Sequence, residues 1–282
     1  MLPMALLSLT MMGLVMGGLG GGDSSDIGAS DPDTSSGTET DTTENTSSSS
    51  TSILNYANAN PDDDTVQGTD SAHTIDLGAG NDTLASQGGN DNAKGGTGND
   101  VIFGGNGDDV IYGNDGDDVL IGGTGNDTLR AGSGNDILSG INILADNTSA
   151  EDLATLGTST QAFVDPLSGA DTSGADILKA DEGDDFLMIG GGDTATGGAG
   201  SDMFFTLEGI MDGTAPGIIT DFDKSEDALV VGYESADGEP DIEITNMNGD
   251  ALVAVNGLAT YLVQGAGALL SIADIYLLAT DA

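Results

Sequence analysis

Through the middle of the chain an apolar side chain recurs once every nine residues, and most of what lies between is glycine, aspartate and asparagine. Cut into nines from Gly68, the sequence reads GTDSAHTID, LGAGNDTLA, SQGGNDNAK, GGTGNDVIF, GGNGDDVIY, GNDGDDVLI, GGTGNDTLR and AGSGNDILS, ending at Ser139 without an insertion. The eighth position is always apolar: Ile75, Leu84, Ala93, Ile102, Ile111, Leu120, Leu129 and Leu138. The sixth is His73, then Asp82, Asp91, Asp100, Asp109, Asp118, Asp127 and Asp136. The last three residues of a block, such as Val101-Ile102-Phe103, are β-branched or aromatic and predict a short strand whose middle residue faces inward. Glycine at positions one, two and four permits positive φ, which predicts a six-residue loop whose carbonyls can converge. Stacked loops and strands make a coil with one buried apolar residue per block.

The period lapses over 140–170, where Thr148 and Glu151 have capping-box spacing and Gly157 reads as a helix stop, predicting a short surface helix. It returns as DTSGADILK, ADEGDDFLM, the eight-residue IGGGDTAT and GGAGSDMFF. Asp176, Asp185 and Asp202 then take position six, Asp193 is displaced to position five, and Leu178, Leu187 and Phe204 point inward. The pattern predicts one interrupted coil, with two separate coils as the alternative. From Gly217, apolar runs flank Asn248-Gly249 and Asn256-Gly257, which are hairpin-turn signals, so 217–282 reads as a β cap over the open end.

Ahead of the repeats, residues 1–22 carry no charged side chain and are about long enough to span a bilayer core, for which ~20 apolar residues suffice. They read as a membrane anchor or as a signal peptide, although no Lys or Arg precedes the apolar run. Residues 23–60, rich in Ser, Thr, Asp and Gly, read as a disordered acidic linker. The remaining division is 61–139 and 171–216 for the two repeat blocks, 140–170 for the insertion and 217–282 for the cap.

Charge sharpens this picture. The 48 acidic residues against 4 basic ones give a net charge of −44 over 282 residues, which excludes nucleic acid as a partner. Of the 48, 39 are Asp, a residue of turns rather than of helix faces. There is no Cys, and His73 is the only histidine, so thiolate chemistry and multi-histidine zinc sites are excluded. No nucleophile elbow, phosphate loop or EF-hand pattern occurs, and no segment outside the repeats is large enough for a catalytic domain, so the chain does not read as an enzyme. One inward side chain per block is a thin core for so much ordered backbone, and stacked carboxylates repel. A hard cation held by carboxylates and carbonyls would close that gap, and a flexible cage of such oxygens suits Ca²⁺ better than Mg²⁺.

These blocks resemble the RTX (hemolysin-type) calcium-binding nonapeptide repeat, G-G-x-G-x-D-x-U-x. The resemblance implies an all-β, right-handed parallel β-roll that binds several Ca²⁺ ions between loops on the same side. Its ligands would be the carboxylates of Asp82, Asp91, Asp100, Asp109, Asp118, Asp127, Asp136, Asp176, Asp185 and Asp202. They would act with the loop glycines Gly95, Gly96, Gly98, Gly104, Gly105, Gly107, Gly113, Gly116, Gly122, Gly123 and Gly125. His73, Gln87 and Ala93 depart from the pattern, so the first blocks read as a capping edge, with His73 a surface or capping residue. Lys94 and Arg130, at ninth positions, read as plain surface charges. The segment GIITDFDKSEDALVV is similar to the stretch after the last repeat in serralysin-type C-terminal domains, which implies a signal for the type I secretion machinery.

In blocks four to six the outward positions are apolar as well, and Val101, Phe103, Val119 and Ile121 fall on one face. These residues reflect strand propensity, or a flanking segment covers that face, or it docks another protein or a carbohydrate. The whole reads as a secreted or surface-tethered protein that folds on Ca²⁺ after export. The alternatives are a calcium-stabilised adhesin or matrix protein, and a non-catalytic accessory module of a secreted hydrolase.

Overall fold

The computed structural model describes residues 55–57, 63–142, 150, 153, 174–208, 215–235, 238–266 and 270–280. Each nonapeptide contributes one strand that begins at position seven. Before the insertion these are β1 (Asn55–Ala57), β2 (Thr65–Thr69), β3 (Thr74–Ala79), β4 (Thr83–Gln87), β5 (Asn92–Thr97), β6 (Val101–Asn106), β7 (Val110–Asp115), β8 (Val119–Thr124), β9 (Thr128–Ser133) and β10 (Ile137–Ser139). After it come β11 (Ile177–Glu182), β12 (Phe186–Met188), β13 (Thr194–Ala199), β14 (Met203–Leu207), β15 (Gly217–Ile219), β16 (Ala228–Tyr233), β17 (Ile242–Met247), β18 (Asp250–Val255), β19 (Leu258–Val263) and β20 (Ile275–Ala279). Odd strands up to β15 build one sheet, continued by β19, β18 and β17, while even strands up to β16 build the other, ended by β20. All roll strands pair in parallel, two blocks apart, as in Ile75↔Ala93 and Ile102↔Leu120. The fold is a parallel β-roll. β1 lies within the range read above as linker.

The eighth positions form the core. Val66, Leu84, Ile102, Leu120, Leu138, Leu187, Phe204 and Leu229 stack on one sheet, facing Ile75, Ala93, Ile111, Leu129, Leu178, Ala195 and Ile219 on the other, all buried in one cluster. Two sequence expectations change here. Strands continue through positions one to three of the next block, so the loops shrink to positions four to six; β6 and β8 still pair at Gly105↔Gly123 and Asn106↔Thr124. Position one also faces inward, as the buried Leu77, Ala131, Ala180 and Ile189 show, because the chain bends there and skips a rung of the ladder.

The insertion does not divide the roll. β11 pairs with β9 and β12 with β10 in unbroken register, Ile177↔Thr128 and Phe186↔Ile137. Of the predicted helix only Ala150 and Leu153 are described; both are helical and buried. They pack in a second apolar cluster with Phe103, Val119, Ile121 and Phe205 on the outer face of the even sheet. The backbone N–H of Ala150 donates to Oε1 of Gln67 at 2.8 Å. Of the readings of this apolar face, coverage by a flanking segment holds and docking does not: Phe103 is 1 % exposed and Ile121 0 %.

The cap forms as the turn signals predict. Asn248-Gly249 and Asn256-Gly257, all at positive φ, join β17, β18 and β19 as an antiparallel meander. Its Val253, Tyr261 and Val263 join the roll's core cluster. A 3-10 turn, Ile272–Asp274, touches β17 just before β20, so the ends of the two sheets meet.

Candidate metal centre

The position-six side chains are drawn into two columns by the roll's own repeat. In the first, the backbone N–H groups of Asp64, Asp82, Asp100, Asp118, Asp136 and Asp185 donate to Oδ1 of Asp82, Asp100, Asp118, Asp136, Asp185 and Asp202, at 2.7 to 3.1 Å. In the second, the N–H groups of His73, Asp91, Asp109 and Asp127 donate to Oδ1 of Asp91, Asp109, Asp127 and Asp176, at 2.6 to 2.8 Å. Every predicted aspartate is at most 3 % exposed. Each carboxylate thus clips its own turn to the one before it.

Only Oδ1 is used this way. Oδ2 of Asp82, Asp91, Asp100, Asp109, Asp118, Asp127, Asp136 and Asp185 is buried without a hydrogen-bond partner. The position-one glycines make room for it. A Cβ on Gly95, Gly104, Gly113 or Gly122 would fall on Oδ2 of Asp100, Asp109, Asp118 or Asp127. The freedom for positive φ that glycine permits at position one is thus not what is used there, since none of these four adopts it. Positive φ belongs to position two (Gly96, Gly105, Gly123) and position four (Gly98, Gly107, Gly116, Gly125). There a Cβ would also strike the carbonyl of the residue one full turn earlier, as Gly116 meets Gly98 O and Gly125 meets Gly107 O.

Burial sets the electrostatics. Desolvation, only partly offset by the backbone hydrogen bond, pushes the carboxyls of Asp109, Asp118 and Asp185 up to about 8. It pushes Asp100, Asp136 and Asp202 to about 7 and Asp127 to about 6, with neighbouring aspartates adding to the rise. Asp82 and Asp91 are raised as well; for Asp91, His73 counters the desolvation. Near neutral pH such a group must either take up a proton or meet a cation. Among the described residues no three His, Asp or Glu side chains converge on one point. An ion between turns would therefore draw most of its oxygens from loop carbonyls, with one or two carboxylates supplying the charge. That donor set, oxygen-only and partly anionic, fits a hard divalent cation.

The columns take in residues beyond the predicted ligand set. Asp193 is buried and holds its place despite the short turn, Oδ1 accepting from Asp176 N–H at 2.9 Å and Oδ2 from Gly190 N–H at 2.7 Å. Asp227 extends the first column past the last repeat, accepting from Asp202 N–H at 3.0 Å, and burial raises its carboxyl to about 6. Its separation of 25 residues from Asp202 hid it from a period of nine. His73 heads the second column; it is 3 % exposed, which corrects the surface reading and keeps the capping one. Position five, always Asn or Asp in the eight blocks up to Ser139 other than the first, forms a ladder of opposite sense. Asn99 N–H donates back to Asn81 Oδ1, Asp117 N–H to Asn99 Oδ1, and Asn135 N–H to Asp117 Oδ1, at 2.8 to 3.0 Å. The regular Asn or Asp at position five is the sequence signal of this ladder.

The family of the RTX calcium-binding nonapeptide repeat matches the chain at residues 58–93, 86–120, 112–140, 170–193 and 190–210. Among solved structures, the extracellular lipase LipA from Serratia marcescens is similar at 22 % identity and a TM-score of 0.22. That similarity covers 69 % of this chain but only 41 % of the lipase. No curated protein matches.

Proposed function

The chain is an RTX repeat protein whose β-roll binds several Ca²⁺ ions, and from that premise we propose that calcium switches it from an open chain to a folded one after export. The observation that carries this reading is the double column of buried carboxylates with an unpartnered Oδ2. We assign the ions to Asp82, Asp91, Asp100, Asp109, Asp118, Asp127, Asp136, Asp176, Asp185 and Asp202, acting with carbonyls of the position-one, -two and -four glycines. The bound ion supplies the positive charge that the four basic residues cannot. The aspartates hold adjacent turns through Oδ1 and leave Oδ2 to the ion.

At low cytosolic calcium, repulsion among the carboxylates keeps the chain open, which favours passage through a type I secretion machinery. Outside, calcium near the ~10⁻⁴–10⁻³ M affinities of extracellular modules folds it. Residues 1–22 would then act as anchor or signal, and the acidic stretch from 23 up to β1 as a spacer between them and the roll. Among the described residues no helix is long and apolar enough to cross a membrane, and residues 1–22 lie outside them. The role is binding and structural rather than catalytic. Circular dichroism of chelated protein titrated with Ca²⁺ tests the switch: strand signal should appear with calcium, and a full signal in chelator refutes it.

A further inference from the structure

Between Met188 and Gly197 the chain has eight residues, Ile189 to Thr196, where the repeats on either side have nine. The missing residue is lost from the loop, because β13 still pairs with β11 in register, Ile177↔Thr194 and Leu178↔Ala195. The described nine-residue turns from β3 onwards bend twice through positive φ, at positions two and four, as at Gly105 and Gly107. They do so even where position two is not glycine, at Asn114 and Asp181. From Ile189 to Asp193 only Gly192 has positive φ, +92°. β12 also stops at Met188, so this loop lacks the paired bends that bring carbonyls together.

The carboxylate is held differently as well. Asp136 and Asp185 each use Oδ1 to accept from the turn before, and their Oδ2 is buried without a hydrogen-bond partner. Asp193 Oδ1 makes the same contact with Asp176 N–H at 2.9 Å, but its Oδ2 accepts from Gly190 N–H in its own turn at 2.7 Å. A Cβ on Gly140 would fall on that Oδ2, so the chain closes around it. An ion drawing on Oδ2 would leave the buried Gly190 N–H unmet, a loss that an ion at Asp136 or Asp185 does not incur. Position one of this turn is Ile189, wholly buried in the apolar core, and a Cβ on Gly217 of β15 would strike its Cγ2.

We propose that Asp193 is a metal-free clasp: it joins its turn to the one before through backbone hydrogen bonds alone, and the turn takes no ion. The Gly190 N–H and the packing of Ile189 stand in for the cation. The inference rests on the reading that ions sit at the open Oδ2 atoms, and adds what decides where they sit. A buried aspartate in a column is not sufficient. The turn must also be long enough to keep Oδ2 out of reach of its own backbone N–H groups. The second column therefore stops binding calcium before its aspartates end, at the seam where β13 passes through β15 to β19 of the apolar cap.

The test counts bound Ca²⁺ on the full chain by native mass spectrometry, after circular dichroism in saturating Ca²⁺ has shown each variant to be folded. Asp185→Ala and Asp193→Ala both delete an Oδ1 contact to the turn before, so they differ only in what Oδ2 does. Asp185→Ala should lose at least one ion. Asp193→Ala should keep the parental count while its thermal midpoint falls, because two backbone N–H groups lose their acceptor. Inserting one Asn between Gly192 and Asp193 restores the G-G-x-G-x-D spacing and should add one ion. An Asp193→Ala protein that loses an ion, or one as stable as the parent, overturns the clasp. So does an insertion protein that folds with the parental count, and this arm decides should Asp193→Ala fail to fold. An Asp185→Ala protein with every ion in place overturns instead the ligand assignment beneath it, so the two failures are told apart.

Discussion

His73 holds Asp91 twice through the same oxygen: its backbone N–H donates to Asp91 Oδ1 at 2.6 Å, and its ring Nδ1 lies 2.9 Å from that atom. Nε2 meets Thr69 Oγ1 at 2.9 Å, so the ring links Asp91 to the strand before it. A histidine in an aspartate's place thus ends the second column with a neutral or cationic partner instead of another anion. His73→Ala should cost about 1–3 kcal/mol, the scale of leaving a buried polar group short of a partner. Urea unfolding in saturating Ca²⁺ measures this, and a midpoint like that of the parent would count against the capping role.

Gly113 and Gly116 are both glycine for different reasons, and substitution should separate them. Gly116 has a φ of +134° and faces Gly98 O, so Gly116→Ala strains the backbone. Gly113 has an ordinary φ but abuts the carboxylate of Asp118. Gly113→Ala should displace that carboxylate and lower the calcium stoichiometry or affinity measured by calorimetry. A Gly113→Ala protein with unchanged calcium binding would remove Asp118 from the ligand set.

Asp118→Asn keeps an acceptor for Asp100 N–H and deletes the charge whose burial raises the carboxyl to about 8. The sign of its effect should reverse with calcium. Without the ion, one buried anion is gone and the chain should be more strand-rich than the parent. With the ion, a charged ligand is lost and more Ca²⁺ should be needed for folding. Paired circular dichroism titrations of parent and variant measure both, and a shift of one sign in both conditions is the contrary result.

The roll was legible because its unit is local: a glycine-permitted bend, an apolar eighth residue and a sixth-position Asp, repeated in phase. What the sequence hid is longer in range. Asp227 joins the first column only because the cap's β16 stacks on β14 in register, Phe204↔Leu229. The purpose of Gly113 depends on where Asp118 folds back, not on its own backbone. The fate of the apolar outer face likewise depended on Leu153, whose segment shows no nine-residue phase.

Leu153 is 0 % exposed and belongs to the same apolar cluster as Phe103 and Ile121. Leu153→Ala should cost about 2–4 kcal/mol in Ca²⁺, and uncovering the even sheet should raise binding of an apolar dye. Calcium stoichiometry should stay at the parental value, since Leu153 belongs to a cluster separate from the core beneath the aspartates. A loss of calcium sites in this variant would mean that the cover and the columns fold as one unit.

Acid should partly replace calcium. The carboxyls of Asp109, Asp118 and Asp185 rise to about 8, those of Asp100, Asp136 and Asp202 to about 7, and those of Asp127 and Asp227 to about 6, all from an ordinary 3.8. Raised values mean that, between the ordinary and the folded pKa, the folded calcium-free chain holds more protons than the open one. Its stability therefore increases as pH falls from about 8 towards about 4 and is lost as pH rises through the folded values. Depressed carboxylates would give the opposite slope. Calcium-free protein followed by circular dichroism should gain strand signal on acidification, and the Ca²⁺ needed for half-folding at fixed ionic strength should fall with it, while the affinity of the folded chain for Ca²⁺ weakens as protons compete for Oδ2. Calcium-free protein that stays open down to about pH 5, or an affinity for Ca²⁺ independent of pH, would show that these carboxylates are not the groups that burial and calcium share.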